Sequence, residues 1–536
     1  MRNRIRLLDC TLRDGAYIVD AKFGTPAIKG IIGKLEDANI DIIECGWLKD
    51  KPYEVGSTFF HAPSDVEQYL GVKSKRSEYV AMIDWNRYDL SQLEVYDGKS
   101  IDAVRVVFPI EHYKEGIALG KTIISKGYKV YFQAANTLDY SDIDLINLAQ
   151  EANEVKPTAI SVVDTFGAMF EEDLSRIVSI LHNNLDEDIM LGFHSHNNQQ
   201  LSFSLSMKFI EQLYNTRRGI IVDASLCGMG RGAGNTTTEL LVNYLNKKWN
   251  GNYDMNAIMD AIDTYMGYFI DHYQWGYSTP YFISGMYCAH VNNIAYLSNN
   301  HRTNAKDMRN IIGSLAEDER KKYDYDLLES KYLEYENIEI DDEVVKKRLK
   351  GEFRDRKILL LSPGKSIVKS KEQIKSFIHV ENPIVIGINA ICEGYEYDYL
   401  FFSNHSRYDY ARDIYGKKFA RIEKIVTSNI KVEAEEKESI INYNLMIKRG
   451  WKHFDNAVIM CLRLMNILKV GSVALAGFDG FSDNYAESYS DISLPPINPG
   501  MDWDELNHEI ADMFRDFKES IGNSMEIQII TESKYI

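Results

Sequence analysis

The sequence predicts an α/β protein: a (β/α)8 TIM barrel, then a helical connector, then a smaller Rossmann-like α/β domain. Three observations carry that prediction. Eight short apolar runs alternate with helix-like segments across residues 5–225. A strongly charged stretch occupies residues 301–355, and a fresh β-rich pattern begins at 357. The expected domains are therefore 1–300, 301–355 and 356–536.

The eight runs are IRLLDC (5–10), IDIIECG (40–46), EYVAMID (78–84), AVRVVFP (103–109), YKVYFQAA (128–135), AISVVD (159–164), IMLGFHSH (189–196) and GIIVDAS (219–225). Each is rich in Val, Ile, Leu, Phe or Tyr, as a strand buried on both faces of a parallel sheet should be. Between them, AIKGIIGKLEDAN and DIDLINLAQEANEV have helical spacing. Count and length fit a barrel, and a doubly wound sheet is the competitor. Residues 236–300 read as helices rich in Tyr, Asn and Met. The charged stretch, with AEDERKKYDYDLLESKYLEYE, gives the connector a solvated face. The last domain reads KILLLSPGKS, NPIVIGINAI, DYLFFSN, KIVTSN and SVALAGFDGFS, mostly separated by helical stretches.

Composition narrows the function. The chain has 536 residues and a formal net charge of −18. No basic block interrupts that charge, which speaks against binding the phosphate backbone of nucleic acid. The six cysteines (Cys10, Cys45, Cys227, Cys288, Cys392, Cys461) are scattered, without a CxxC pair. That is the usage of a reduced, cytoplasmic protein. The start, MRNRIRLLDCTLRDG, holds too short an apolar stretch for a signal peptide, and no apolar run reaches membrane-spanning length. The expected partners are small molecules, with no nucleic acid and no membrane; a homo-oligomer remains open.

In a parallel barrel the reactive residues gather at the C-terminal strand ends. Arg13 and Asp14 follow the first run, Glu44 ends the second, Asp164 and Thr165 close the sixth, and His194 and His196 end the seventh. Side chains at i and i+2 of a strand share a face, so the two imidazoles can bind one metal ion. Barrel closure brings Asp14 alongside as an anionic ligand, and the amide oxygen of Asn235 offers a fourth. Mixed nitrogen and oxygen ligands suit Mn²⁺, Mg²⁺, Fe²⁺ or Zn²⁺. The alternative is a polar strand end without metal. CGMGRGAGNTTTEL follows the eighth run; its glycines allow a tight backbone path against a ligand, and TTTEL reads as a helix start. Arg105 faces either the mouth, where it could grip a substrate carboxylate, or an outer helix. Glu44 is expected to support the metal site, with an acid/base role as the alternative.

TLRDG, HSH and GMGRGAGN, in this order and spacing, together resemble the metal-dependent aldolase and acyl-lyase barrels. That superfamily includes 4-hydroxy-2-oxovalerate aldolase, 3-hydroxy-3-methylglutaryl-CoA lyase and isopropylmalate synthase. DTFGAM (164–169) resembles the family's sixth strand end, and the likeness spans roughly residues 1–295. It implies Asp14, His194 and His196 as metal ligands, with Asn235 as a further one, and Mn²⁺ or Mg²⁺ ahead of Zn²⁺. It implies Arg13 as the stabiliser of an enolate oxygen. GRGAGN is closer to the aldolases than to the synthases, and GMYCAH (285–290) resembles the aldolase segment that carries a catalytic tyrosine, here Tyr287. One feature departs from the family. The aldolases carry a histidine base shortly after RDG, whereas this chain has Ala16 and Tyr17. The base is then Tyr17, Tyr287, His290 or a hydroxide on the metal. Cys227 is expected to be structural.

The expected reaction is aldol cleavage or formation at a 2-oxo acid, with an aldehyde as partner. The alternatives are a Claisen-type synthase joining acyl-CoA to a 2-oxo acid, and a non-catalytic barrel that serves as scaffold. In the last domain, SPGKS offers a turn with Ser366 as a helix cap and amides for phosphate. Its candidate nucleotide-binding residues, each near a strand end, are Ser362, Gly364, Asn389 and Asp479. The pattern resembles the α/β domains of sialyltransferase-like and pterin-diphosphokinase-like proteins, which implies a setting in surface-sugar biosynthesis. An assembly domain is the alternative.

Overall fold

A computed structural model describes residues 4–301, 303–432, 438–451, 456–482, 488–491, 493–494 and 502–536. The chain forms two compact units, Met1–Ile294 with Arg320–Lys322, and Ala295–Glu319 with Tyr323–Ile536. The stretch expected as a connector folds as helices Ala305–Ser314, Glu317–Lys321, Tyr325–Glu336 and Glu343–Glu352, and nearly all of it groups with the second unit.

The first unit is a closed barrel. Its strands are β1 (Ile5–Asp9), β2 (Ile42–Leu48), β3 (Phe59–Phe60), β4 (Glu78–Asp84), β5 (Ala103–Phe108), β6 (Lys129–Ala134), β7 (Ala159–Asp164), β8 (Met190–Ser195) and β9 (Ile220–Ala224). They pair in the order β1-β9-β8-β7-β6-β5-β4-β2, and β2 returns to β1; every pairing is parallel. The eight barrel strands fall on the eight predicted runs, with bounds shifted by at most two residues. The sequence reading missed β3, which adds two residues to the edge of β2.

The alternation of strand side chains builds the interior in layers. Leu8, Ile42, Val80, Ala103, Tyr131, Ala159 and Ile221 form an apolar floor. Two residues further along their strands, the same face carries Glu44, Arg105, Gln133, Ser161 and Asp223. These are all buried, so the floor is capped by a charged layer. On β8 the same alternation runs Met190, Gly192, His194, His196. Gly192 is a necessity of packing there, because a Cβ would lie 2.2 Å from Ser161 Oγ.

The second unit is an open, wholly parallel sheet of β10 (Ile358–Leu361), β11 (Ile384–Ile388), β12 (Tyr399–Phe402), β13 (Glu423–Thr427), β14 (Glu438–Ile441), β15 (Ser472–Ala476) and β16 (Glu526–Ile529). Its order is β14-β13-β12-β11-β10-β15-β16. Helices Ala457–Ile467 and Trp503–Ile521 supply the larger apolar cluster. Helices Lys371–Glu381 and His405–Arg421 supply two further clusters. Five strands were predicted; β14 and β16 were not. Among the described residues no helix is long and apolar enough to cross a membrane.

Candidate metal centre

The barrel mouth brings together Asp14, His194 and His196, whose ligand atoms lie within 4.8 Å of one another. All three are buried. Asp14 ends the short helix Thr11–Asp14, which leaves β1, while the histidines come from the last turns of β8's alternation. Asn235 joins them. Its Nδ2 donates to Asp14 Oδ2 at 2.6 Å, and its Oδ1 is buried without a hydrogen-bond partner. A buried carbonyl oxygen without a partner is costly, and a cation ligand would satisfy it. The donor set therefore fits a divalent ion bound by two imidazoles, a carboxylate and an amide oxygen.

The glycine-rich loop is shaped by that cluster. A Cβ at Gly230 would lie 2.2 Å from Asn235 Nδ2 and 2.5 Å from Asp14 Oδ2. Gly234 has φ +84°, and a Cβ there would meet Gly228 O at 2.0 Å. Asn198 ties the loop to the end of β7: its Oδ1 accepts from Ala233 N at 2.9 Å, and its Nδ2 donates to Phe166 O at 2.9 Å. Helix Thr238–Lys248 starts where TTTEL suggested, with Thr237 at its N-cap; the cap makes no side-chain bond. Instead Thr238 Oγ1 donates to Asp9 Oδ2 at 2.7 Å.

Below the cluster runs a chain of buried charges. Arg13 NH1 donates to Asp14 Oδ1 at 2.6 Å, and Arg13 Nε donates to Glu44 Oε2 at 2.8 Å. Glu44 Oε2 also lies 2.8 Å from Arg105 NH1. Arg105 NH2 donates to Asp223 Oδ2 and to Gln133 Oε1. Asp223 Oδ2 in turn faces His194 Nδ1 at 3.1 Å, orienting that ring for a ligand at its other nitrogen. Three carboxylates stand against two guanidiniums here, which leaves one negative charge in excess. A divalent cation held there would offset it.

Protonation follows from this setting. Burial works against a charged Asp14, but Arg13 leads the groups that overcome it and hold the carboxyl well below the usual carboxylate range. Burial likewise opposes Asp223, and Arg105 leads the groups that keep it lowered. Burial pushes His196 down to about 3, so its ring is neutral and can offer a lone pair. Asp164 is pushed up to about 7 by burial; its Oδ1 accepts from Ala168 N at 2.8 Å and holds the DTFGAM turn. Thr165 Oγ1 accepts from Asn136 N at 2.7 Å.

The structure corrects some expectations and leaves others without contact to the cluster. Arg105 points inward, but its guanidinium is held by Glu44, Asp223 and Gln133, so it neither grips substrate at the mouth nor pairs with an outer helix. Tyr17 is 46% exposed, with Arg231 5.0 Å above its ring. Tyr287 follows helix Thr279–Met286, its ring 5.0 Å from Arg320; no described contact joins it to Asp14, His194 or His196. Burial pushes His290 down to about 3, and its Nδ1 accepts from Asn292 N at 3.1 Å. Burial pushes the Cys227 thiol up to about 12, the state of a structural cysteine. Sequence reasoning missed Asp223 and Asn198. The available signal for Asp223 was a lone acid inside an apolar run, one residue before the strand end.

In the second unit, Ser362, Gly364, Asn389 and Asp479 line one cleft. The expected phosphate site at Ser366 is overturned. Ser366 N and Oγ donate to Asp479 at 2.6 and 2.5 Å, so a carboxylate already takes those donors, and Lys365 holds the cap position of the four-residue helix.

Residues 110–264 match the HMGL-like family model. Curated relatives include the oxaloacetate decarboxylase of Mycobacterium tuberculosis, 27% identical over 48% of this chain and 74% of that protein. The 4-hydroxy-2-oxovalerate aldolase of Carboxydothermus hydrogenoformans is 29% identical over 49% of this chain and 77% of its own length. Among solved structures, the N-terminal domain of a proposed aldolase from Bacteroides vulgatus is similar at 25% identity and a TM-score of 0.47, over 54% of this chain and 95% of that one. Residues 110–264 of the barrel are thus similar to the HMGL-like family, and aldolases and a decarboxylase are among the chain's distant relatives.

Proposed function

We propose that the barrel is a divalent-metal-dependent aldolase, a carbon–carbon lyase acting on a 2-oxo acid of the 4-hydroxy-2-oxo type through a pyruvate enolate. The observation that carries this reading is the convergence of Asp14, His194 and His196 within 4.8 Å, with Arg13 on Asp14 at 2.6 Å. The relatives' names support it, since oxaloacetate and 4-hydroxy-2-oxovalerate are both 2-oxo acids whose cleavage leaves a pyruvate enolate.

A divalent cation held by Asp14, His194, His196 and Asn235, with Mn²⁺ or Mg²⁺ ahead of Zn²⁺, supplies electron withdrawal from the 2-oxo carbonyl. The chain's own residues do the rest. Arg13 places a permanent positive charge where the enolate oxygen develops. Glu44 and Asp14 fix its guanidinium, so little reorganisation accompanies the reaction. Asp223 holds the His194 ring. Tyr17 is the first candidate for handling the proton of the substrate hydroxyl, because it follows RDG where the aldolases carry histidine; burial raises its phenol and Arg231 leads the groups that oppose that shift, so taking a proton would need the phenolate. Tyr287 is the second candidate for that role. The scattered cysteines, without a CxxC pair, support a cytoplasmic setting.

The test combines metal analysis with exchange of the pyruvate methyl protons in D₂O. The expected result is one divalent ion per chain and exchange that a chelator stops. Protein that binds no metal and exchanges no protons would be a scaffold. Thiol release that needs acyl-CoA would mark a Claisen-type synthase.

A further inference from the structure

We propose that Arg231 selects a second anionic group, a carboxylate or a phosphate, on the aldehyde half of the substrate. The proposal rests on the lyase reading above and names the substrate class within it. Arg231 stands in the glycine-rich loop beside the metal cluster, half-buried, with its guanidinium 5.0 Å from the centre of the Tyr17 ring. The loop is pinned around it: Asn198 Oδ1 accepts from Ala233 N at 2.9 Å, and Gly234 N donates to Arg231 O at 3.2 Å. The other cations of this region are committed. Arg13 is held by Asp14 and Glu44, Arg105 by Glu44 and Asp223, and Lys49 pairs with Asp84 at 2.9 Å. Among the described residues, no hydrogen bond or ion pair reaches the Arg231 guanidinium; its contact is the face of Tyr17.

Position and charge together define the group. In cleavage the C3–C4 electron pair becomes the enolate, the C4 hydroxyl gives its proton to the base, and C4 leaves as the aldehyde carbonyl. With Tyr17 at that hydroxyl, a substituent on C4 comes beside the Tyr17 ring, and the Arg231 guanidinium lies over that ring. Arg231 is also felt at the cluster, where it adds to the lowering of His196 that burial leads. The buried charged layer carries one negative charge in excess. A divalent cation would turn this into one positive charge, which the carboxylate of the 2-oxo acid neutralises. Arg231 adds a further positive charge, and a second anion on the substrate balances it. The guanidinium fork matches carboxylate and phosphate alike. An apolar aldehyde half would leave it without a counter-ion.

The test sets each charged ligand against a neutral counterpart on the full chain loaded with Mn²⁺. 2-Oxoglutarate and 2-oxovalerate, which lack the C4 hydroxyl and are not cleaved, are compared by calorimetric titration. Aldol addition of pyruvate is followed with glyoxylate against acetaldehyde, and with glyceraldehyde 3-phosphate against glyceraldehyde. At least one charged member is expected to be favoured about tenfold or more, as a charge-assisted contact allows. Preference for 2-oxoglutarate and glyoxylate identifies a carboxylate; preference for glyceraldehyde 3-phosphate alone identifies a phosphate. Arg231→Ala lowers the favoured ratio about tenfold, and Arg231→Lys keeps part of it. A ratio near one in every parental pair, or the parental ratio in Arg231→Ala, overturns the proposal. Exchange of the pyruvate methyl protons separates it from the lyase reading. Parent protein that exchanges but favours the neutral partners keeps the lyase and loses the proposal; protein that neither exchanges nor binds 2-oxo acids loses both.

Discussion

The barrel mouth and the cleft of the second unit are both built at the carboxyl ends of parallel strands, yet they gather their residues differently. Closing the barrel sets β1 beside β9 and one strand from β8, so Asp14, just after β1, reaches histidines 180 residues later. The open sheet has no such closure. Its cleft exists because β10 sits between β11 and β15, and it takes a cation from a helix rather than from a strand end. Electrostatics differ in the same sense. The barrel places alternating charges in contact from Asp14 to Asp223, with one negative charge left over, while in the second unit Arg407 and Asp479 both line the cleft.

The comparison breaks most visibly at the ligands. Asp14→Ala, His194→Ala or His196→Ala is expected to reduce bound metal, read by elemental analysis, below about a tenth of the parent while the barrel stays folded. Normal occupancy in all three would remove the metal centre. Next in size is Arg13→Lys. It should retain metal and lose about 10²–10³ in single-turnover rate, because an ammonium on a shorter stem cannot reproduce the guanidinium fork. A rate within about threefold of the parent, far short of that loss, would move the enolate stabiliser elsewhere, with Arg231 next to examine.

Asp223→Asn sharpens the account of the charged layer. It weakens the hold on His194 and is expected to cost about 10–100-fold in metal affinity, measured by competition with a chelator. Unchanged affinity would make Asp223 a partner of Arg105 alone. The smallest effect belongs to the cleft. Ser366→Ala removes one hydroxyl bond to Asp479 and should lower the stability of the second unit by about 1 kcal/mol in a denaturant titration, with the metal content of the barrel unchanged.

The same difference explains what could be read before the structure. Barrel strands such as AISVVD are buried on both faces, so they appear as unbroken apolar runs. The missed strands are short and lie at sheet edges: β3 has two residues, and β16 (EIQI) alternates exposed and half-buried positions. In the site, Asp14, His194 and His196 were legible because strand alternation and closure are general rules. The partners of Arg105 were not, since they lie on three other strands and depend on register. Arg407 was illegible for a related reason. Its place at the cleft depends on the order β12-β11-β10, which no local pattern encodes.

The central claim is that Asp14, His194 and His196 hold one divalent cation that faces a 2-oxo acid. The most direct measurement is anomalous diffraction at the manganese edge from crystals grown with Mn²⁺ and oxalate, a mimic of the pyruvate enolate. The account predicts one strong peak at about 2.0–2.3 Å from Asp14, His194 and His196, with oxalate beside Arg13. A saturated crystal with no peak among these three side chains, or with oxalate bound away from Arg13, would contradict it.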